Sequence, residues 1–177
     1  MTPPKEIELS SKMTLAEAKA WLRARFDDGA ECPCCRQFVK LYRRTITGAM
    51  ARGLIALHVQ HKEHGWQRWM HIPTVMRSVC PSNMGSLLRH WKLIESMPDA
   101  EREDGSKRTG WYRMTPLGIS FVMGEVRIPR YVYLYNQTLL NRRVPADEAS
   151  LSIMEALGAK FNYAELMAHV PKMTPFQ

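Results

Sequence analysis

The chain has 177 residues, a net charge of +8 and 45% hydrophobic residues, which suits one domain with appendages and excludes wholesale disorder. No apolar run approaches the roughly 18 residues that a membrane span needs. The start, Met1-Thr2-Pro3-Pro4-Lys5-Glu6, shows no apolar stretch behind a basic residue, so the reading is a cytoplasmic protein with no membrane partner.

Thr14-Leu15-Ala16-Glu17 predicts a capping box, in which the Thr14 hydroxyl and the Glu17 carboxylate each satisfy an open backbone N–H. Leu15, Ala18, Leu22 and Phe26 follow at helical spacing as far as Gly29. Residues 1–30 therefore read as an N-terminal helical arm, and residues 31–44 as a connector with three cysteines and a basic, aromatic stretch. A longer helix is predicted from Thr45 or Thr47, with Ile46, Met50, Leu54 and Leu57 along one face and Gly65 as its stop.

The next segment carries the most information. A short strand over residues 69–72 leads into a helix over residues 74–79, broken at Cys80-Pro81. A second helix over residues 82–93 buries Met84, Leu87, Leu88 and Trp91, with Ile94 beyond it. Ser82, Asn83, Ser86, Arg89, His90 and Lys92 are left for its outer face. A polar excursion over residues 97–110 separates this from a strand, Trp111-Tyr112-Arg113-Met114. Thr115 then caps a helix whose first residue is Pro116, where a missing N–H costs nothing. Helix, strand, two helices and a two-stranded wing in that order predict a winged helix-turn-helix over residues 45–124. The passage Arg113-Met114-Thr115-Pro116-Leu117-Gly118 resembles the one after the wing in MarR-type regulators. That resemblance implies DNA binding, and self-association through the flanking helices.

Charge coincides with this motif. From Arg36 to Lys92 there are ten Lys and Arg against one acid, Glu63, a balance of +9. Such a surface attracts a polyanion by releasing condensed counterions. In the second helix, Asn83, Ser86, Arg89 and His90 are the expected base contacts, Asn suiting adenine and Arg guanine. Arg77, Ser82, Lys92, Lys107, Arg108, Arg43 and Arg44 are the expected phosphate contacts. The wing also carries Asp99, Glu101, Glu103 and Asp104, which phosphate repels. Either only its Lys107-Arg108 side touches DNA, or the wing contacts a protein.

Residues 125–177 read as an extension. Tyr131-Val132-Tyr133-Leu134-Tyr135, the turn Asn136-Gln137 and Thr138-Leu139-Leu140 predict a hairpin. Helical spacing returns over residues 148–157 and stops at Gly158. Asn162-Tyr163-Ala164-Glu165 predicts a second capping box and a last short helix. The fold class is mainly α with a small β-sheet, a winged-helix core flanked by an N-terminal helix and a C-terminal hairpin with helices.

Cys32-Pro33-Cys34-Cys35 contains a C-x-x-C pair, Cys32 and Cys35, that can place two thiolates on one structural Zn²⁺. His61 and His64 complete a C-x2-C…H-x2-H pattern, although the gap is longer and the His spacing shorter than in the familiar finger. Inert reduced thiols and a redox dithiol are the other readings. No Gly-rich phosphate loop, H-E-x-x-H or G-x-S-x-G occurs, so no catalytic residues are assigned and no enzyme is expected.

The C-P-x-C turn with Val39-Lys40-Leu41-Tyr42-Arg43-Arg44 and Ala49-Met50-Ala51-Arg52 is similar to a group of functionally unassigned proteins of phages and prophages. Pro129-Arg130-Tyr131-Val132-Tyr133-Leu134-Tyr135-Asn136, Glu155-Ala156-Leu157-Gly158 and Phe161-Asn162-Tyr163-Ala164-Glu165-Leu166-Met167 fit the same group. The resemblance implies a phage origin and action in a host's cytosol. Two functions follow as expectations: binding double-stranded DNA in transcription or replication control, or a phage effector that grips and inhibits a host protein.

Overall fold

The computed structural model describes residues 13–80, 83–98, 110–140 and 150–168. Its elements in chain order are α1 (Leu15–Ala24), β1 (Ala30–Glu31), β2 (Phe38–Val39), β3 (Tyr42–Thr45), α2 (Gly48–His64), β4 (Met70–His71) and α3 (Ile72–Val75). A 3-10 helix (Asn83–Trp91), β5 (Ile94–Ser96), β6 (Trp111–Met114) and α4 (Pro116–Val122) follow. The chain then forms β7 (Ile128–Pro129), β8 (Tyr131–Tyr135), β9 (Thr138–Leu140), β10 (Ser150–Leu151), α5 (Ile153–Leu157) and α6 (Tyr163–Ala168). The fold is mixed α and β with small sheets. It divides into two compact units, Met1–Arg44 with Tyr133–Arg142, and Thr45–Val132 with Arg143–Gln177.

In the first unit, α1 starts with the predicted capping box. The Thr14 hydroxyl accepts the Glu17 N–H at 3.3 Å, and the Glu17 carboxylate accepts the Thr14 N–H at 2.8 Å. Of the predicted apolar stripe only Ala18 is buried, and Leu15 is 63% exposed. β1 and β2 form a hairpin that pairs Ala30 with Val39 and Glu31 with Phe38. β3 joins a three-stranded sheet in the order β3-β8-β9. The β8–β9 hairpin turns on Asn136 (φ 46°) and Gln137 (φ 61°), two successive left-handed residues whose twist matches paired strands.

The second unit is organised around α2. Thr47 caps it by accepting the Met50 N–H at 3.3 Å, and Gly65 ends it at φ 103°. A single buried stripe was predicted, but burial runs round the helix. Ile55, Ala56, Val59, Gln60, His58 and His61 are buried along with Met50, Leu54 and Leu57. The cause is the number of neighbours: α3, α4, α5, α6, the 3-10 helix and β6 all pack on it.

β4, β6 and β5 form a sheet with β6 in the centre. Met70 pairs with Tyr112 and His71 with Trp111 on one side. On the other side, Ile94 pairs with Met114, Glu95 with Arg113 and Ser96 with Tyr112. Tyr112 and Met114 point inward while Trp111 and Arg113 are half-buried, the two-residue alternation of a sheet covered on one face. Thr115 caps α4 as predicted, accepting the Gly118 N–H at 3.0 Å with Pro116 in the first turn. The two-residue strands β7 and β10 pair Ile128 with Leu151 and Pro129 with Ser150, a pairing the sequence did not announce. α5 opens on a capping box of Ser152 and Glu155 rather than at Glu148, which lies outside the described residues.

Two elements differ from expectation at the centre of the motif. α3 begins at Ile72, two residues earlier than predicted, and spans four residues. The segment after it is a nine-residue 3-10 helix, not an α-helix. Gly85, Leu88 and Trp91 are its buried residues, a repeat of three that matches three residues per turn. Met84 and Leu87, predicted as core, are half-buried. The 3-10 helix lies so close to α3 that a Cβ at Gly85 would come within 2.6 Å of the Met76 Sδ and 3.0 Å of the Ile72 Cγ2.

Candidate functional site

The arrangement that could meet a ligand consists of α3, the 3-10 helix and the two strands that follow. His71 sits at the entrance of α3 with its Nδ1 2.8 Å from the Thr74 Oγ1 and its ring 5.5 Å from that of Trp111. Burial, then the charge of Arg77, pushes the His71 pKa down. Arg77 itself is exposed just beyond α3, and Lys92 is exposed where the 3-10 helix ends. Lys92 adopts φ 59°, a left-handed residue that turns the chain sharply from the helix into β5. The acids among the described residues of 45–98 are Glu63 and Glu95. Glu95 forms an ion pair with Arg113, its cross-strand partner. The Arg113 side chain also donates to the Gln67 Oε1 at 2.8 Å and stacks over Trp69 at 4.5 Å. The opposite charges of Glu95 and Arg113 on neighbouring strands were the available signal.

The predicted base contacts fare unevenly. Asn83 begins the 3-10 helix, and Ser86 is half-buried on it. Arg89 folds back on its own unit, donating to the Tyr112 hydroxyl at 3.4 Å and to the Ser86 carbonyl at 3.5 Å. His90 turns inward, with a buried Nε2 that has no hydrogen-bond partner. Burial, and then the Arg89 charge, lowers its pKa. A period of three rotates both residues away from the outer face that an α-helix would give them, so Arg89 is a brace and His90 part of the packing. Trp91 was expected as core and is. Its Nε1 also donates to the Pro129 carbonyl at 2.8 Å, tying the helix to β7, a contact the sequence did not signal.

Of the predicted phosphate contacts, Arg77 and Lys92 are exposed in the second unit. Arg43 and Arg44 are exposed on β3 of the first unit, where Arg44 lies over the Tyr42 ring at 5.1 Å. Ser82, Lys107 and Arg108, with the acidic residues 99–104, lie outside the described residues.

The expected metal ligands divide as well. Cys32 and Cys35 lie at the tip of the β1–β2 hairpin in the first unit, and His61 and His64 in the second. His61 is fully buried with both ring nitrogens engaged, Nδ1 with the Gly65 carbonyl at 3.2 Å and Nε2 with the Met114 N–H at 3.3 Å. A neutral ring satisfies both bonds, and no lone pair remains for a metal, so His61 is withdrawn from the expected set. His64 is exposed at the end of α2, 3.8 Å from the Glu63 carboxylate. Among the described residues no group of three or more His, Cys, Asp or Glu is placed to hold a metal ion. Nor is any helix among them long and apolar enough to cross a membrane.

No protein-family model, curated protein or solved structure matches this chain.

Proposed function

We propose that the second unit is a winged helix-turn-helix that binds double-stranded DNA, in a phage-type regulator of transcription or replication acting in the cytosol. The observation that carries the reading is topological. α2, β4, α3, the 3-10 helix, β5 and β6 follow one another, and β6 lies between β4 and β5. That order sets two short helices beside a three-stranded sheet whose last hairpin is the wing. Charge supports it, because Arg77 after α3 and Lys92 after the 3-10 helix are both exposed and Glu95 is neutralised by Arg113. Arg77 and Lys92 are assigned to phosphates, and Asn83 and Ser86 to base edges.

The test is retention on random-sequence duplex DNA as a function of salt. The wild-type chain binds at low salt and releases as salt rises. An Arg77→Ala/Lys92→Ala variant flattens the slope of log affinity against log salt by about 1.8, the value for two lost phosphate contacts. No retention at low salt, or an unchanged slope in the variant, defeats the proposal.

One observation favours a protein partner. On β8, Val132 and Leu134 are buried, so Tyr131, Tyr133 and Tyr135 share the opposite face, with Thr138 of β9 facing Tyr135. Rigid aromatic rings with polar tips suit a protein interface. Under this second reading the chain is an effector that grips a host protein through the hairpin. A pull-down in which Tyr133→Ala/Tyr135→Ala loses the partner while duplex binding is kept distinguishes it from the first.

A further inference from the structure

A side chain of α2 completes the central strand of the wing sheet. The Thr115 N–H donates to the Leu93 carbonyl at 3.1 Å and the Met97 N–H to the Trp111 carbonyl at 3.0 Å. Alternate residues of a strand bond to opposite neighbours, so Trp111, Arg113 and Thr115 bond towards β5. The Met114 N–H therefore faces the other way, towards β4, whose pairing stops with Met70 opposite Tyr112. His61 supplies what a longer β4 would. Its Nε2 accepts the Met114 N–H at 3.3 Å, and its Nδ1 lies 3.2 Å from the Gly65 carbonyl oxygen. A carbonyl only accepts and an amide N–H only donates, so these partners put the ring's proton on Nδ1 and leave Nε2 bare. The imidazole is fully buried, while the Trp66 ring stacked on it at 6.0 Å is 38% exposed.

We propose that His61 is a proton-sensitive latch between α2 and the wing, closed while Nε2 is bare and released when Nε2 is protonated. Its consequence for DNA rests on the winged-helix reading of this unit. A proton on Nε2 sets two donors face to face in a buried place, so the ring and the Met114 N–H part. β6 then loses its tie to α2 one residue before Thr115, the cap of α4. Burial disfavours the charged ring, and the Gly65 carbonyl opposes that effect. The ionisable groups on the elements around α2 are engaged elsewhere. Arg89 is held by the Tyr112 hydroxyl, Glu155 by Arg127 and Arg130, Glu165 by the Asn162 amide, and Arg113 by Glu95. The Tyr163 hydroxyl donates to the Val122 carbonyl, and His90 is turned into the packing of the 3-10 helix. α3 and α4 carry no ionisable side chain. On α2 itself, Arg52 lies over the Phe161 ring, His58 is buried one turn before His61, and Lys62, Glu63 and His64 are exposed. Acid therefore weakens duplex binding through His61, whereas a charge gained by the exposed His64 would strengthen it.

NMR of the full, ¹⁵N-labelled chain between pH 7.5 and 4.5 tests the latch. At pH 7.5 the His61 proton is expected on Nδ1. As Nε2 takes up a proton, the Met114 amide is expected to shift and to exchange faster with water, while the Leu54 and Leu57 amides of α2 stay protected. A proton on Nε2 at pH 7.5, a Met114 amide indifferent to the titration of His61, or Met114 and Leu54 losing protection together overturns the proposal. So does a His61 ring that takes up no proton before the chain unfolds. Affinity for a random-sequence duplex at fixed salt is measured over the same range. Wild type and His58→Leu are expected to lose up to about tenfold per pH unit as the latch opens, the limit for one proton, and His61→Gln to show no such loss. Wild-type affinity that holds or rises through the titration of His61, or an equal loss in His61→Gln, overturns the control of DNA binding and leaves the DNA reading standing. A latch that opens in a chain binding no duplex at any pH sinks the DNA reading and upholds the latch. Should His61→Gln not fold, the wild-type spectra decide, since they need no variant.

Discussion

Lowering the pH from 7.5 to 5.5 should destabilise the second unit through two histidines on α2. His58 is 4% exposed and His61 fully buried. Burial lowers both pKa values from 6.5. The charges of Lys62 and His61 lower that of His58 further, and the Gly65 carbonyl opposes the shift at His61. Above pH 6.5 both rings are neutral in the folded and the unfolded chain, and the buried sites cost nothing. Below it the unfolded chain takes up two protons that the folded chain refuses, and stability is lost until the folded pKa values are reached. While the rings stay neutral, each histidine contributes a loss of about 1.4 kcal/mol at one pH unit below 6.5, or about 2.7 kcal/mol for the pair. That is a large part of a typical stability of about 5–15 kcal/mol. His71 and His90 shift in the same direction. Urea unfolding followed by tryptophan fluorescence at several pH values measures the loss. His58→Leu removes one titration and also a buried Nδ1 with no partner, so it should preserve stability at pH 7.5 and reduce the pH dependence by up to about 1.4 kcal/mol. Stability that is flat from pH 7.5 to 5.5, or a variant with the wild-type pH dependence, refutes the reasoning.

Gly118→Ala should be among the most damaging small changes in α4. Its Cβ would stand 2.0 Å from the Leu93 carbonyl oxygen and 2.9 Å from the carbonyl carbon, so backbone must move, at a cost of about 3 kcal/mol. A urea midpoint equal to that of wild type would contradict this. Trp91→Phe keeps most of the buried ring but removes its 2.8 Å bond to the Pro129 carbonyl. A loss of about 1–2 kcal/mol is expected, and faster amide exchange at β7 and β10 would locate it.

Local chemistry was legible where a few neighbouring residues decide the structure. The Thr14–Glu17 box, the Thr115-Pro116 start of α4 and the Asn136-Gln137 turn are each complete within about four residues. At Asn162 the reading was half right. Its Oδ1 accepts the Ala164 and Glu165 N–H groups, but the Glu165 carboxylate takes the Asn162 side-chain amide. What escaped depends on partners far along the chain. The period of three in the 3-10 helix goes with the close approach of Gly85 to Met76 and Ile72, which periodicity within the segment does not reveal. Arg89 and His90 were assigned to the outer face on the wrong period. β7 and β10 are two residues each, too short for any alternation to register. The C-x-x-C pair was visible at once, whereas His61 carried no sign that it would be spent on the Met114 N–H.

The Lys92 carbonyl accepts the Thr115 hydroxyl at 2.6 Å, and the Leu93 carbonyl accepts the Thr115 N–H at 3.1 Å. Gly118 closes over that same carbonyl. The base of the β5–β6 hairpin is thereby clasped independently of whatever sequence joins its far end. The positions of β5, β6 and α4 are thus tied to one another at the end of the hairpin next to α4.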